Sequence, residues 1–317
     1  MKVQEFCPSE AEHCESLLID TRGSLDSQSL SIASAITFIR KCGIALQTLS
    51  IYGAIGIVSF GWTLSRLLHF ECIRYVPLWF FSALFIYNLD RLKKDPADLI
   101  NTPARSQSAA NFRKISRALT LISAAALVVV PILEKDWLML LLTTGGAVVC
   151  MNYSVPMFGV RFKDIPFLKS FFAPTLVTAA FIVPPLLQQP LGADHACYAI
   201  VTAWTWCVTL FNMLLCDLRD IEGDANTGVR SLPVAIGGRR TIFTLCTLLV
   251  LGVVLSITMR FECDAAGVIP WIFLSIILPV YLAGLLAAIR KPMPEDFYEW
   301  WVEGILLVPA IIYSVTS

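Results

Sequence analysis

From Gly43 onward the chain reads as nine apolar stretches joined by short polar connections, at about residues 43–65, 75–92, 115–133, 136–155, 165–187, 196–218, 241–259, 267–289 and 297–315. Most approach the roughly 20 residues that a helix needs to cross the hydrocarbon core of a bilayer. Few architectures suit such a chain, because lipid offers no hydrogen bonds and only helices or closed barrels satisfy their own backbone there. Composition agrees: 56% of the residues are hydrophobic and 15% charged, where a soluble domain carries about a quarter charged residues. One buried core would not absorb that excess, so most of it faces lipid. Two stretches are weaker. The second is strongly apolar only from Val76 to Tyr87, and the ninth carries Glu299 and Glu303, which are tolerated where they face protein or a water-filled cavity. The expectation is an all-α integral membrane protein with nine transmembrane helices.

Residues 1–40 form a polar leader of mixed charge with no apolar segment near its start, unlike a cleaved secretory signal. The domain layout expected is therefore a loosely ordered leader over 1–40 and a helical membrane domain over 41–317. Basic residues orient the chain. With nine spans, the leader and the second, fourth, sixth and eighth loops, with their adjoining helix ends, hold 20 of the 24 Lys and Arg residues, against 4 on the opposite side. Cytoplasmic loops carry such an excess. The leader and the long polar loops are thus expected in the cytoplasm, with Ser317 outside.

The 24 basic residues are balanced by 24 acids, so no global positive field exists to attract nucleic acid. Ten cysteines include no C-x-x-C pair and sit mostly in apolar runs, where Cys behaves as a small hydrophobe. His13, His69 and His195 have no metal-ligand spacing.

Two expected cytoplasmic loops hold clustered acids. In the second of these, Asp217, Asp220 and Asp224 are spaced i, i+3 and i+7, which stacks three carboxylates on one stripe of a helix. Like charges there repel. A divalent cation would relieve them, and Mg²⁺ favours a few carboxylates with the remaining positions taken by water or phosphate oxygens. The competing reading is a solvated acidic helix end neutralised by Arg219 and Arg230. In the first loop, Asp90, Lys94 and Asp98 share a stripe, so its middle position is basic and suited to direct contact with a phosphate. Asp95 points about 100° away in an unbroken helix. Pro96 interrupts that helix, however, with Asp95 as N-cap and Pro96 at N1, and the restart offers a way to turn Asp95 toward a cation.

Two acid clusters at one membrane face, with Arg105, Lys163, Lys169 and Arg230 nearby, suit a pair of Mg²⁺ sites gripping a diphosphate. An apolar cavity between helices would hold its hydrocarbon tail. Metal coordination makes diphosphate a good leaving group, and an allylic tail departs as a stabilised carbocation.

The set Asp90, Asp98, Asn101, Pro103 and Arg105, followed about 120 residues later by the run from Asp217 through Asp220, Asp224, Gly228 and Arg230 to Leu232, resembles the UbiA superfamily of intramembrane prenyltransferases. The likeness covers essentially the whole chain after the leader. The second motif is similar to that of the branch that prenylates the naphthoquinone precursor of menaquinone, and Tyr153 to Lys169 resembles the family's basic diphosphate loop. The resemblance implies a helical bundle around a central cavity and Mg²⁺-dependent ionisation of a prenyl diphosphate. It also implies transfer to a small lipophilic acceptor, often aromatic, in contact with membrane lipid. Carried over by position, Asp90 and Asp98 would serve one metal, joined by Asp95 if the break at Pro96 turns it inward. Asp217, Asp220 and Asp224 would serve the other. Arg105, Lys163 and Lys169 would contact phosphates, with Lys94 and Arg230 as further candidates, and Asn101, Tyr153 and Asn212 would border the prenyl or acceptor pocket. The chain departs from the family at Lys94, where an acid is usual, and at Met157, where many members carry Lys.

Three other readings remain open. Terpene cyclases related to this family quench the carbocation with the substrate's own double bonds, and the aromatic residues near the motifs, Trp79, Tyr87 and Phe211 among them, suit either outcome. An ion-coupled transporter also uses intramembrane acids, although its acids sit mid-span and its broken helices come in pairs. An inactive scaffold would account for Lys94.

Overall fold

The structure is a computed structural model that describes residues 34, 37–93, 95–188, 195–263, 278–290 and 293–316. Every regular element among them is helical. The chain divides into two units, Met1–Leu46 and Gln47–Ser317. Within the first, the described residues are helical, as the opening part of α1 (Thr37–Thr48). Lys94, most of the leader and about half of the eighth apolar stretch lie outside the described residues.

The second unit contains α2 (Ile51–Leu67), α3 (Val76–Leu92), α4 (Pro96–Asn101), α5 (Pro103–Asn111), α6 (Arg113–Leu133) and α7 (Trp137–Ser154). After a 3₁₀ turn at Phe162–Asp164 come α8 (Leu168–Gln188), α9 (His195–Arg219), α10 (Ile221–Thr227), α11 (Leu232–Ile236), α12 (Gly238–Glu262) and α13 (Leu278–Arg290). A short turn at Glu295–Phe297 runs into a π-helical turn at Tyr298–Val302, and α14 (Val308–Thr316) closes the described chain.

Five helices, α6, α7, α8, α9 and α12, are long and apolar enough to cross a membrane, or six spans if one bent helix pair counts as another. This is a multi-pass membrane protein. Neither α3 nor the helical turns after Pro294 are among the five, and these correspond to the two stretches whose hydropathy is weakest. Packing accounts for their retention. Helix α3 lies against α2, α6 and α7, while α9 lies between α8 and α12. Thirteen residues of α9 are buried, from Cys197 to Asp217, whereas α12 turns Phe243, Val250, Val254 and Phe261 outward, as a lipid-facing helix does.

The two inner helices α3 and α9 each carry one acid cluster at their C-terminal end, and their other halves build an aromatic core. Trp79 meets Phe181 edge-on at 5.2 Å, and Phe60 contacts Phe181 and Trp204 at 5.7 and 6.1 Å between ring centroids. The Trp79 indole donates to the Ala180 carbonyl at 3.1 Å, which fixes the ring.

The structure corrects one expectation about the cysteines. Cys197, in the first turn of α9, and Cys263, at the end of α12, form a disulfide with a Cα–Cα separation of 5.1 Å. Both sit in apolar surroundings, but α9 and α12 pack side by side, so residues 66 apart in sequence meet at one end of the helix pair.

Candidate active site

The end of α3 and the start of α4 shape the first acid cluster. Helix α3 ends at Leu92, and α4 restarts with Asp95 as N-cap and Pro96 at N1, the Asp95 carboxylate accepting from Ala97 N–H at 3.0 Å. The restart turns Asp95 toward Lys163, with which it forms an ion pair, and toward Arg161 at 3.3 Å. Lys163 Nζ is also 4.0 Å from Asp90 Oδ1, and Ser154 Oγ donates to the same oxygen at 2.6 Å. Burial alone would push Asp95 up; the hydrogen bond and charge of Lys163 outweigh it and hold the carboxyl below its usual range. Asp98 is held above that range by burial and by the nearby Asp90 charge.

The second cluster departs from the expected single helical stripe. Helix α9 ends at Arg219, and α10 begins after Asp220, whose φ of −86° and ψ of 2° mark the break. Backbone hydrogen bonds continue on both sides, from Asp220 N–H to Cys216 O and from Asp224 N–H to Asp220 O, at 3.1 and 3.0 Å. The three carboxylates therefore still converge, and Lys169 stands where they meet: its Nζ is 2.6 Å from Asp224, 3.6 Å from Asp217 and 3.8 Å from Asp220. Asp220 also pairs with Arg219 at 2.7 Å, which outweighs the effect of burial and lowers its pKa. Asp217 and Asp224 are only 1% and 2% exposed, so a positive charge close by is an energetic requirement for both.

Each acid cluster is thus centred on a lysine, Lys163 from the 3₁₀ turn between α7 and α8 and Lys169 from the first turn of α8. The donors around each lysine are hard carboxylate oxygens of the kind that Mg²⁺ takes. One of them, Asp217 Oδ1, is buried without a hydrogen-bond partner. Among the described residues no three acidic, His or Cys side chains already stand close enough together to hold a metal ion; the carboxylates gather on the ammonium groups instead.

Both clusters border one cavity of about 660 Å³. Asp90, Asp98, Asp217, Asp220, Asp224 and Arg105 line its polar end, with Lys163 and Lys169. Ile57, Trp79, Phe172, Val177 and Phe181 line its apolar part. Tyr153 stacks on Phe172 with centroids 4.9 Å apart, and Asn212 faces the cavity with its amide oxygen buried and unpartnered. Asn101 joins the two motifs, its side-chain oxygen accepting from Gly223 N–H at 2.9 Å.

Two candidate diphosphate residues have other engagements. Arg105 lies at the cavity, and its Nε is 3.8 Å from Glu299. Arg230 follows the left-handed Gly228 (φ +79°) that ends α10; its side chain is exposed and does not line the cavity, while its carbonyl accepts from Phe167 N–H at 2.8 Å.

Sequence reasoning missed Ser170, whose hydroxyl donates to buried Asp217 and accepts from Leu232 N–H at 2.9 Å. Its only sequence signal is its place beside Lys169. Glu303, one of the two acids that weaken the ninth apolar stretch, also lines the cavity.

The chain has recognisable relatives among known proteins. The sequence profile of the UbiA prenyltransferase family matches residues 98–302. A digeranylgeranylglyceryl phosphate synthase from Natronomonas pharaonis is 24% identical over 219 residues, covering 69% of this chain and 74% of that protein. A lycopene elongase/hydratase from Haloferax volcanii is 25% identical over 167 residues, 52% of this chain and 49% of its own. A solved structure of a UbiA homolog from Archaeoglobus fulgidus bound to GPP and Mg²⁺ covers 85% of this chain and 96% of its own, at 16% identity and a TM-score of 0.48. With its profile match spanning well over half of the sequence, the chain belongs to the UbiA prenyltransferase family.

Proposed function

We propose that this prenyltransferase uses Mg²⁺ to move a prenyl group from a prenyl diphosphate to a small lipophilic acceptor, an aromatic or quinone-precursor compound. The observation that carries the reading is the meeting of two acid clusters, each with a lysine at its centre, at the polar end of a cavity whose remainder is apolar and aromatic. A diphosphate fits the polar end and a hydrocarbon tail the rest.

Asp90, Asp95 and Asp98 would hold one Mg²⁺, and Asp217, Asp220 and Asp224 the other. When bound, the ions supply charge neutralisation for the departing diphosphate. Lys163 and Lys169, released from the carboxylates, bind phosphate oxygens, joined by Arg105. Ser154 and Ser170 orient Asp90 and Asp217 by hydrogen bonds. The apolar wall excludes water from the allylic carbon, and the faces of Tyr153, Phe172 and Trp79 stabilise the positive charge that develops there. Asn101, Tyr153 and Asn212 border the acceptor.

The topology we infer has nine spans, with the leader of residues 1–40 and both acid clusters in the cytoplasm and Ser317 outside. The disulfide between Cys197 and Cys263 supports this orientation. It joins the start of α9 to the end of α12, the helix ends away from Asp217, where a non-cytoplasmic compartment permits oxidation.

Cyclisation of the prenyl chain without an acceptor is the second reading, favoured by the aromatic lining. Membranes supplied with Mg²⁺ and labelled C10 to C20 prenyl diphosphates, with and without aromatic acceptors, separate the two. Acceptor-dependent products support transfer, and cyclic hydrocarbons or alcohols formed without acceptor support the alternative. Absence of diphosphate release under every condition overturns both.

A further inference from the structure

Glu303 follows the π-helical turn Tyr298–Val302 and lines the same cavity as the acid clusters. Glycines let it in. A Cβ built on Gly53 would stand 3.4 Å from Glu303 Oε2 and 3.6 Å from the Tyr87 ring, and one built on Gly56 would stand 3.5 Å from the Glu303 carbonyl. A side chain at Gly304 would run into the Tyr52 hydroxyl. The segment therefore lies close on α2, and Glu303 and Tyr87 meet above Gly53.

The basic groups near Glu303 are engaged elsewhere. Arg91 donates to the carbonyls of Gln47 and Thr48, and Arg105 pairs with Glu299. The Tyr52 hydroxyl donates to the Trp300 carbonyl at 3.1 Å. The Glu303 carboxylate makes no ion pair or hydrogen bond with any described residue, although it lines a cavity whose wall is largely apolar. An ionisable side chain kept there without a partner awaits one from a ligand. Glu303 pairs with neither Lys163 nor Lys169, whose partners are Asp90, Asp95, Asp217, Asp220 and Asp224, and Cys216 on α9 lies within electrostatic reach of both Glu303 and Asp220. The carboxylate thus borders the diphosphate end without belonging to it.

We propose that Glu303 receives a hydroxyl group of the acceptor and takes its proton during transfer, a role that rests on the prenyltransferase reading above. The acceptor O–H bond breaks and its proton passes to the Glu303 carboxylate. The electron pair so released forms the bond to C1 of the prenyl group, at the oxygen of an alcohol or at a ring carbon conjugated with a phenol oxygen; in the second case the proton on that ring carbon then shifts to the phenol oxygen and restores the aromatic ring. The C1–O bond breaks, and its pair leaves with the diphosphate. A free hydroxyl is therefore part of what this site selects, and Tyr87 borders the same place.

The test compares wild type with Glu303→Gln and Glu303→Asp. The probes are a prenyl diphosphate with Mg²⁺, a phenolic acceptor, a glycerol-type alcohol acceptor, and the O-methyl ether of each. The expected result is a transfer kcat lower by about 10²-fold or more in Glu303→Gln, a raised KM for the acceptor, an unchanged KM for the prenyl diphosphate, and partial recovery in Glu303→Asp. Wild type should reject the methyl ethers, and whichever unmethylated probe reacts identifies phenol or alcohol. Prenyl diphosphate binding by Glu303→Gln confirms that the variant is folded. Transfer by Glu303→Gln at the wild-type rate and acceptor KM would overturn the proposal while leaving the enzyme reading intact. If wild type itself releases no diphosphate with any probe, that reading fails first and the role of Glu303 with it.

Discussion

The side-chain oxygen of Asn101, at the end of α4, accepts a hydrogen bond from the backbone N–H of Gly223 in α10 at 2.9 Å. One contact thereby ties two acid-bearing segments that lie 122 residues apart. The approach is so close that a Cβ on Gly223 would fall inside the Asn101 amide. Gly223→Ala should therefore push α4 and α10 apart and destabilise the protein by about 1–3 kcal/mol. Thermal unfolding in detergent checks the stability, and prenyl transfer should fall with it. Asn101→Ala removes the bond without the clash and should cost about 1 kcal/mol.

Lys169 bears on three carboxylates, two of them almost wholly buried. Replacing it by Met leaves those charges uncompensated, a change that costs about 3–5 kcal/mol for a buried pair. If Mg²⁺ takes the same place, the loss should be largely recovered on adding it. Thermal unfolding of Lys169→Met with and without Mg²⁺ should show a greater metal-induced rise than in wild type. An equal rise in both proteins would show that the lysine and the metal do not share the site.

Trp79 and Phe181 line the apolar part of the cavity, and Trp79 is held by its bond to the Ala180 carbonyl. Gly61 must lack a side chain for these rings to pack as they do, since a Cβ there would stand 2.6 Å from Trp79 and 2.8 Å from Phe181. Trp79→Ala should lengthen the cavity and shift preference toward longer prenyl diphosphates, read as the ratio of kcat/KM values across C10 to C20 donors. A Gly61→Ala variant should lower stability without that shift.

The Cys197–Cys263 bond should be visible as a mobility difference between reduced and non-reduced protein, lost in Cys197→Ser. Closing a loop of this length contributes about 2–4 kcal/mol, so the variant should unfold at a lower temperature. A membrane-impermeant thiol reagent should reach the reduced pair from the side opposite the acid clusters.

Much of this arrangement is legible in the sequence because its physical causes are local. Apolar runs of helical length announce α6 to α9 and α12, and Pro96 after Asp95 announces the restart at α4. Repelling acids at Asp217, Asp220 and Asp224 demand a positive charge wherever they come to lie. Long-range partners are harder to foresee. Lys163 and Lys169 read as basic loop residues, yet tertiary packing puts each at the centre of an acid cluster. Ser170 has an ordinary hydroxyl until α8 brings it to Asp217. The break at Asp220 is too slight to leave a sequence signal. Glu303 reads as one of two acids in a weakly apolar stretch, and only the glycines of α2 show why it reaches the cavity. The disulfide needs the pairing of α9 with α12, which hydropathy does not encode.

The central claim is that the two acid clusters work together on a prenyl diphosphate with Mg²⁺. The most direct measurement is diphosphate release from a labelled prenyl diphosphate by purified protein across a Mg²⁺ titration, for wild type, Asp90→Asn and Asp224→Asn, with unfolding temperature as a control. The account predicts saturable, Mg²⁺-dependent release by wild type, reduced about 10²-fold or more in each variant while both remain folded. Release that is independent of Mg²⁺, or a folded Asp224→Asn variant with full activity, would contradict it.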